Sequence, residues 1–173
     1  MLPTTAAQTI GPYWHLIEDP SWADLTRFGA RGETMILTGT VRDGDGAPCS
    51  DTCVEIWQAD PAADETFPGY GRANTDVGGI FRFVTIRPGP VPGRGNTLQA
   101  PHIAIRIFAR GLMAGLVTRA YFQGEPLNES DPLLTSIDDP AARATLIATH
   151  VGPSVWRLDI RLQGEGETLF LDV

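Results

Sequence analysis

The sequence predicts an all-β fold: an antiparallel β-sandwich with an extended N-terminal arm and one short helix. Three observations carry that expectation. Short runs alternate apolar and polar residues with a period of two, clusters of Gly, Pro and Asp separate the runs, and a single stretch carries a helix start signal.

Residues 1–33 read as the arm. They hold Pro3, the run GlnThrIleGlyProTyr (8–13), Trp14, His15 and Trp22, and Gly11-Pro12 punctuates the backbone where a strand could not pass. Aromatic residues on such an arm need a surface to pack against. Residues 34–173 read as a single sandwich domain. Met35, Leu37, Gly39 and Val41 alternate with Ile36, Thr38 and Thr40, and Asp43-Gly44-Asp45-Gly46 supplies turn residues. Thr52–Ala59 is the next strand. Residues 60–78 read as a long surface loop, Gly79–Arg87 as a strand, and 88–96 as a second, proline-rich loop.

Ala100–Gly111 (APHIAIRIFARG) is the most informative stretch. As a strand it sends Ile103, Ile105 and Ile107 to one face, and His102, Ala104, Arg106, Phe108 and Arg110 to the other. Val117–Gln123 follows as a strand. The helix is expected to start at Asp139-Pro140, an Asp cap with Pro at the first helical position, and to run through AARATLIATH until Gly152-Pro153 stops it. His150 would then sit at its C-terminal end, where positive charge is favourable. Trp156–Leu162 and Thr168–Val173 complete the strands.

With 173 residues and 42% hydrophobic content, the chain is long enough for one domain with a real core. A formal charge of −8 argues against a nucleic-acid or anionic-membrane surface, and every basic side chain is Arg. The expected address is the cytoplasm: no run is long enough to span a membrane, and residues 1–10 lack the pattern of a signal peptide. Cys49 and Cys53 are expected to be ordinary reduced thiols. The sequence has no GxSxG elbow and no HExxH, and without lysine it has no phosphate-binding GxxxxGK[ST] loop.

Six stretches in order carry a resemblance. EIWQAD (55–60), GR with TD (71–76), FRFVTIRPGPVP (81–92), APHI (100–103), RAYFQGE (119–125) and RLDIRLQGEGETLF (157–170) together resemble the intradiol ring-cleavage dioxygenases, from Gln8 to Val173. Catalytic chains of that family hold a non-haem Fe(III) between two tyrosinates and two histidines. A His-x-His strand supplies both histidines, a tyrosine in the proline-rich loop before it supplies a third ligand, and a tyrosine further upstream the fourth. Here the strand reads His102-Ile103-Ala104, and Val91 stands where the loop tyrosine belongs. Tyr70, the one tyrosine of the upstream loop, abuts the Gly-Arg pair instead of lying well before it. The resemblance therefore implies that this chain has no catalytic or metal-binding residue of its own. His102 becomes a vestigial ligand position that makes a structural hydrogen bond.

An intact scaffold with an erased donor set is similar to the iron-free chain of a heteromeric family member. That chain pairs with an iron-bearing β subunit of the same fold, so Fe(III) is expected in the partner. The assembly is expected to open protocatechuate (3,4-dihydroxybenzoate) with O2 to 3-carboxy-cis,cis-muconate. The resemblance assigns to this chain the substrate-pocket positions Thr9, Gly11, Pro12, Tyr13 and Arg110. An arginine and a phenol suit an anionic substrate. Other readings stay open at this point. Arg110 also reads as a surface charge on the polar face of an edge strand, and Gly11–Tyr13 as an arm that only buries interface area. The chain as a whole also reads as a self-sufficient iron dioxygenase with altered ligands, or as a binding or scaffold module.

Overall fold

The computed structural model describes Ala6 and residues 8–172. Its strands are β1 (Thr34–Arg42), β2 (Cys53–Trp57), β3 (Tyr70–Asn74), β4 (Ile80–Ile86), β5 (Val91–Pro92), β6 (Leu98–Gln99), β7 (Ile103–Phe108) and β8 (Leu116–Phe122). Two short helices, α1 (Pro132–Ser136) and α2 (Pro140–Ala144), follow, and then β9 (Ile147–Gly152), β10 (Val155–Arg157) and β11 (Ile160–Arg161). Single 3-10 turns occupy Trp14–Ile17, Pro20–Ala23 and Pro126–Glu129. None of the described helices is long and apolar enough to cross a membrane.

Hydrogen-bonded neighbours run β4-β1-β10-β9-β8-β7-β2-β3, and β11 continues along the β10 side of β1. The two ends of this sheet, β3 and β4, come close together, and the Pro20–Ala23 turn touches both. The backbone N–H of Leu25 bonds the Val84 carbonyl at 2.8 Å, which fastens the turn over the seam. The result is a nearly closed, barrel-like sheet. Its interior is filled by Leu37, Ile56, Phe81, Phe83, Ile103 and Leu25, each no more than 1% exposed. A smaller cluster of Ala100, Tyr121, Leu134 and Leu146 packs α1 against the sheet.

Several expectations are corrected. The sheet is mixed: β1 pairs in parallel with β10 and β11, and β8 with β9. The chain from Gln123 to Leu146, which contains both helices, crosses over and delivers β9 in the same direction as β8. Among the described residues there are two α-helices, not one. The second starts where its signals place it, with the Asp139 carboxylate accepting from the Ala141 N–H at 2.9 Å. It ends at Ala144, because Ile147, Thr149 and Val151 alternate as β-branched residues and are drawn into the sheet as β9. His150 is therefore a strand residue, its ring 4.9 Å from that of Trp156, and not a helix cap.

The loop 60–78 contains β3, whose Gly71 and Ala73 are buried against the barrel. The loop 88–96 contains β5, which pairs with β6. The expected strand at 156–162 is interrupted at Leu158-Asp159. There the Asp159 carboxylate takes the Thr40 N–H at 2.8 Å in place of a backbone carbonyl. Residues 168–172 form no strand; they touch β8 only through single bonds such as Leu171 N–H to the Val117 carbonyl at 2.7 Å. Val173 lies outside the described residues.

Candidate functional site

On β7, Ile103, Ile105 and Ile107 are all in the core, as the period of two requires. His102, at the head of the other face, is half-buried. Its Nδ1–H donates to the Ala100 carbonyl at 2.8 Å, and its ring lies 5.3 Å from that of Tyr121. The Tyr121 hydroxyl donates to the Asp131 carboxylate at 3.1 Å and accepts from Arg119 at 3.1 Å. Asp131, fully buried, also accepts the Ala100 N–H at 2.8 Å and caps α1 through the Leu133 and Leu134 N–H groups. Burial pushes the His102 pKa down and holds the ring neutral. The histidine is thus tied into a structural network.

One pleat along, the Ala104 methyl faces an apolar hollow of about 230 Å³ lined by Trp57, Tyr70, Ala104 and Val117, with Glu55 and Arg106 at its rim. Tyr70 donates its hydroxyl proton to Glu55 at 2.8 Å, and burial together with that bond pushes its phenol up to about 12. It is a protonated donor, the opposite of a tyrosinate ligand. Val91 lies in β5 with an aliphatic side chain. The described residues contain no group of three or more His, Cys, Asp or Glu side chains that could hold a metal ion. Ferric iron needs hard anionic donors, and the residues at these positions do not fit it. Cys49 and Cys53 are free thiols, and burial pushes both up, Cys53 to about 12, so neither is a ready thiolate.

The positions expected to line a substrate pocket fall near the far end of β7. Arg110 follows the strand, with its side chain 61% exposed, and its Nε lies 3.0 Å from the Asp51 carboxylate. Thr9 bonds the neighbouring Ala109 carbonyl through its hydroxyl at 3.4 Å. Trp14, buried, donates its indole N–H to the Asp51 carbonyl at 2.9 Å. The arm is therefore pinned on both sides of Gly11–Tyr13, against the same corner that carries Arg110. Gly11 has φ +79°, a left-handed turn that glycine adopts without strain, and Pro12 and the 72% exposed Tyr13 stand outward from it. Thr9 and Arg110 are thus brought together. Tyr13 makes no side-chain hydrogen bond to that corner among the described residues. Beside Arg110 a cleft of about 280 Å³ opens between Asp51, Cys49, Leu112 and Leu162.

Sequence reasoning missed Asp51 and the anchoring role of Trp14. In the run PCSDTC, Asp51 reads as one more turn residue. The available signal was a short polar residue just ahead of a strand, a type that tolerates the left-handed region.

A family model described as "Dioxygenase" matches residues 19–155. The protocatechuate 3,4-dioxygenase alpha chain of Pseudomonas putida is 38% identical over 99% of this chain and 98% of its own length. The corresponding beta chain of Burkholderia cepacia is 32% identical over 96% of this chain and 78% of its own. Among solved structures, the dioxygenase domain of a dioxygenase and carbohydrate-binding fusion from Streptomyces sp. SirexAA-E superposes with a TM-score of 0.65 at 31% identity, over 94% of this chain and 99% of that one. Sequence and fold agree along nearly the full length, and the chain belongs to the intradiol ring-cleavage dioxygenase family.

Proposed function

We propose that this chain is the α chain of a protocatechuate 3,4-dioxygenase, working in a cytoplasmic αβ heteromer with an iron-bearing β chain of the same fold. The assembly opens the ring of 3,4-dihydroxybenzoate between its two hydroxyl-bearing carbons, both atoms of O2 entering 3-carboxy-cis,cis-muconate. One observation carries this reading: the family scaffold is whole, while the ligand positions present a single histidine, His102, beside a methyl group at Ala104 and an aliphatic side chain at Val91. The likeness to both alpha and beta relatives supports a partner of the same fold.

The arm supports a partner as well. Tyr13, Leu16 and Ile17 are 72%, 71% and 80% exposed on an ordered turn, an apolar face suited to burial against another chain. Thr9, Gly11, Pro12 and Tyr13 then line one wall of the partner's substrate pocket, with Arg110 beside them. In a chain of net charge −8, an anionic substrate needs a local cation, and Arg110 supplies one. The free thiols suit a reducing compartment.

Co-expression tests the reading. Alone, the chain is expected to be colourless and inactive. With a β-type chain carrying the full tyrosine and histidine set, it is expected to co-purify as a coloured, active complex. In that complex Tyr13→Phe and Arg110→Ala should raise KM for protocatechuate and leave iron content unchanged. Ring cleavage by the chain alone overturns the subunit reading, and kinetics indifferent to both substitutions remove the pocket role.

A further inference from the structure

We propose that Asp51 is a positioning residue of the substrate pocket: its carboxylate pairs with Arg110 on the Nε side, leaving the Nη1/Nη2 edge of the guanidinium for the carboxylate of the substrate. The proposal rests on the reading of Arg110 as a substrate-facing residue.

Asp51 lies in the connection between β1 and β2 with φ +58°, one of two non-glycine residues with positive φ among those described. That conformation is uncommon for a residue with a side chain and persists where surrounding contacts enforce it. Here the contacts are specific. The Asp51 carbonyl accepts from Trp14 Nε1 at 2.9 Å, its N–H donates to the Thr75 carbonyl at 3.4 Å, and its carboxylate lies 3.0 Å from Arg110 Nε. Thr75 braces the same turn, accepting the Thr52 N–H at 2.8 Å and donating to the Cys49 carbonyl at 2.7 Å. One residue therefore ties the arm to the body and fixes the arginine, so that Gly11–Tyr13 and Arg110 keep a set spacing.

The edge of contact matters. Arg110 approaches Asp51 at Nε as an ion pair, and no guanidinium N–H of Arg110 makes a hydrogen bond among the described residues. A guanidinium engaged this way keeps donors with which to take a second carboxylate, while its long side chain has already lost the freedom it would otherwise lose on binding. The ion pair also partly cancels the charge of Arg110. Orientation and charge thus predict opposite effects of removing Asp51.

The test uses the purified αβ complex carrying Asp51→Gly, Asp51→Asn or Arg110→Ala. Asp51→Gly keeps the left-handed backbone and deletes the carboxylate; Asp51→Asn keeps an oxygen beside Nε and removes the charge. Arg110→Ala is expected to raise KM for protocatechuate. Asp51→Gly is expected to raise it about 2- to 10-fold, with kcat, iron content and Tm unchanged, and Asp51→Asn to restore it to within about 2-fold of wild type. The proposal is overturned if Asp51→Gly leaves KM unchanged or lowers it while Arg110→Ala raises it. It is also overturned if Asp51→Gly lowers Tm and kcat together, since that marks a merely structural turn. If Arg110→Ala itself leaves KM unchanged, the substrate-facing reading of Arg110 fails first.

Discussion

Two residues apart at the head of β7, His102 and Ala104 differ in what they still offer. His102 donates Nδ1–H to the Ala100 carbonyl and burial holds its ring neutral, so Nε2 is the nitrogen it could still offer. Ala104 offers a methyl group to an apolar hollow. The His102 environment has a measurable consequence. Its folded-state pKa lies below the ordinary 6.5, so below about pH 6.5 the unfolded chain binds the proton more readily and the fold loses stability as pH falls toward the folded value. Above that window the contribution is flat. Melting curves between about pH 7 and pH 5 should show His102→Gln losing less Tm on acidification than wild type; parallel curves would show that the ring is not held neutral by its site.

At the scale of elements, β1 organises the sheet, with β4 on one edge and β10 and β11 on the other. Gly39, within β1, faces the Leu158-Asp159 break between those two short strands, and a Cβ there would collide with the Leu158 carbonyl and the Phe81 ring. Gly39→Ala is therefore expected to cost at least about 3 kcal/mol in denaturant unfolding, or to prevent folding. At Gly166, where a Cβ meets nothing within 4 Å, alanine adds only the strain of a positive φ. Similar losses at the two sites would contradict the close approach.

β7, which alternates throughout, and β1 and β4, which alternate over their first residues, are legible in the sequence because each has one face in the core. So is the start of α2, whose Asp139 cap and Pro140 are local signals. The end of α2 is not legible, since LIATH satisfies either period until the sheet claims it. Nor is β3: YGRAN holds two glycine or alanine residues at its buried positions, and its pairing with β2 is decided by chain contacts far apart in sequence. Parallel pairing is likewise a property of connections, not of any one strand.

For the whole molecule, what depends on residue identity was legible: Val91 and Ala104 carry no donor atom, and Gly11-Pro12 marks a turn in the arm. What depends on tertiary contact was illegible. Nothing local announces that Trp14, Asp51, Arg110 and Thr9 meet at one corner, because those contacts span up to 100 positions. The resulting molecule has an acidic body, an apolar arm surface and one exposed arginine fixed beside it. On the proposed reading, such a chain completes a site that another chain supplies. Iron stoichiometry in the purified αβ complex tests this claim most directly. Elemental analysis against protein mass is predicted to give about one iron per pair of chains, all of it lost when the partner's ligands are substituted; about two irons per pair, or iron retained on this chain alone, would contradict it.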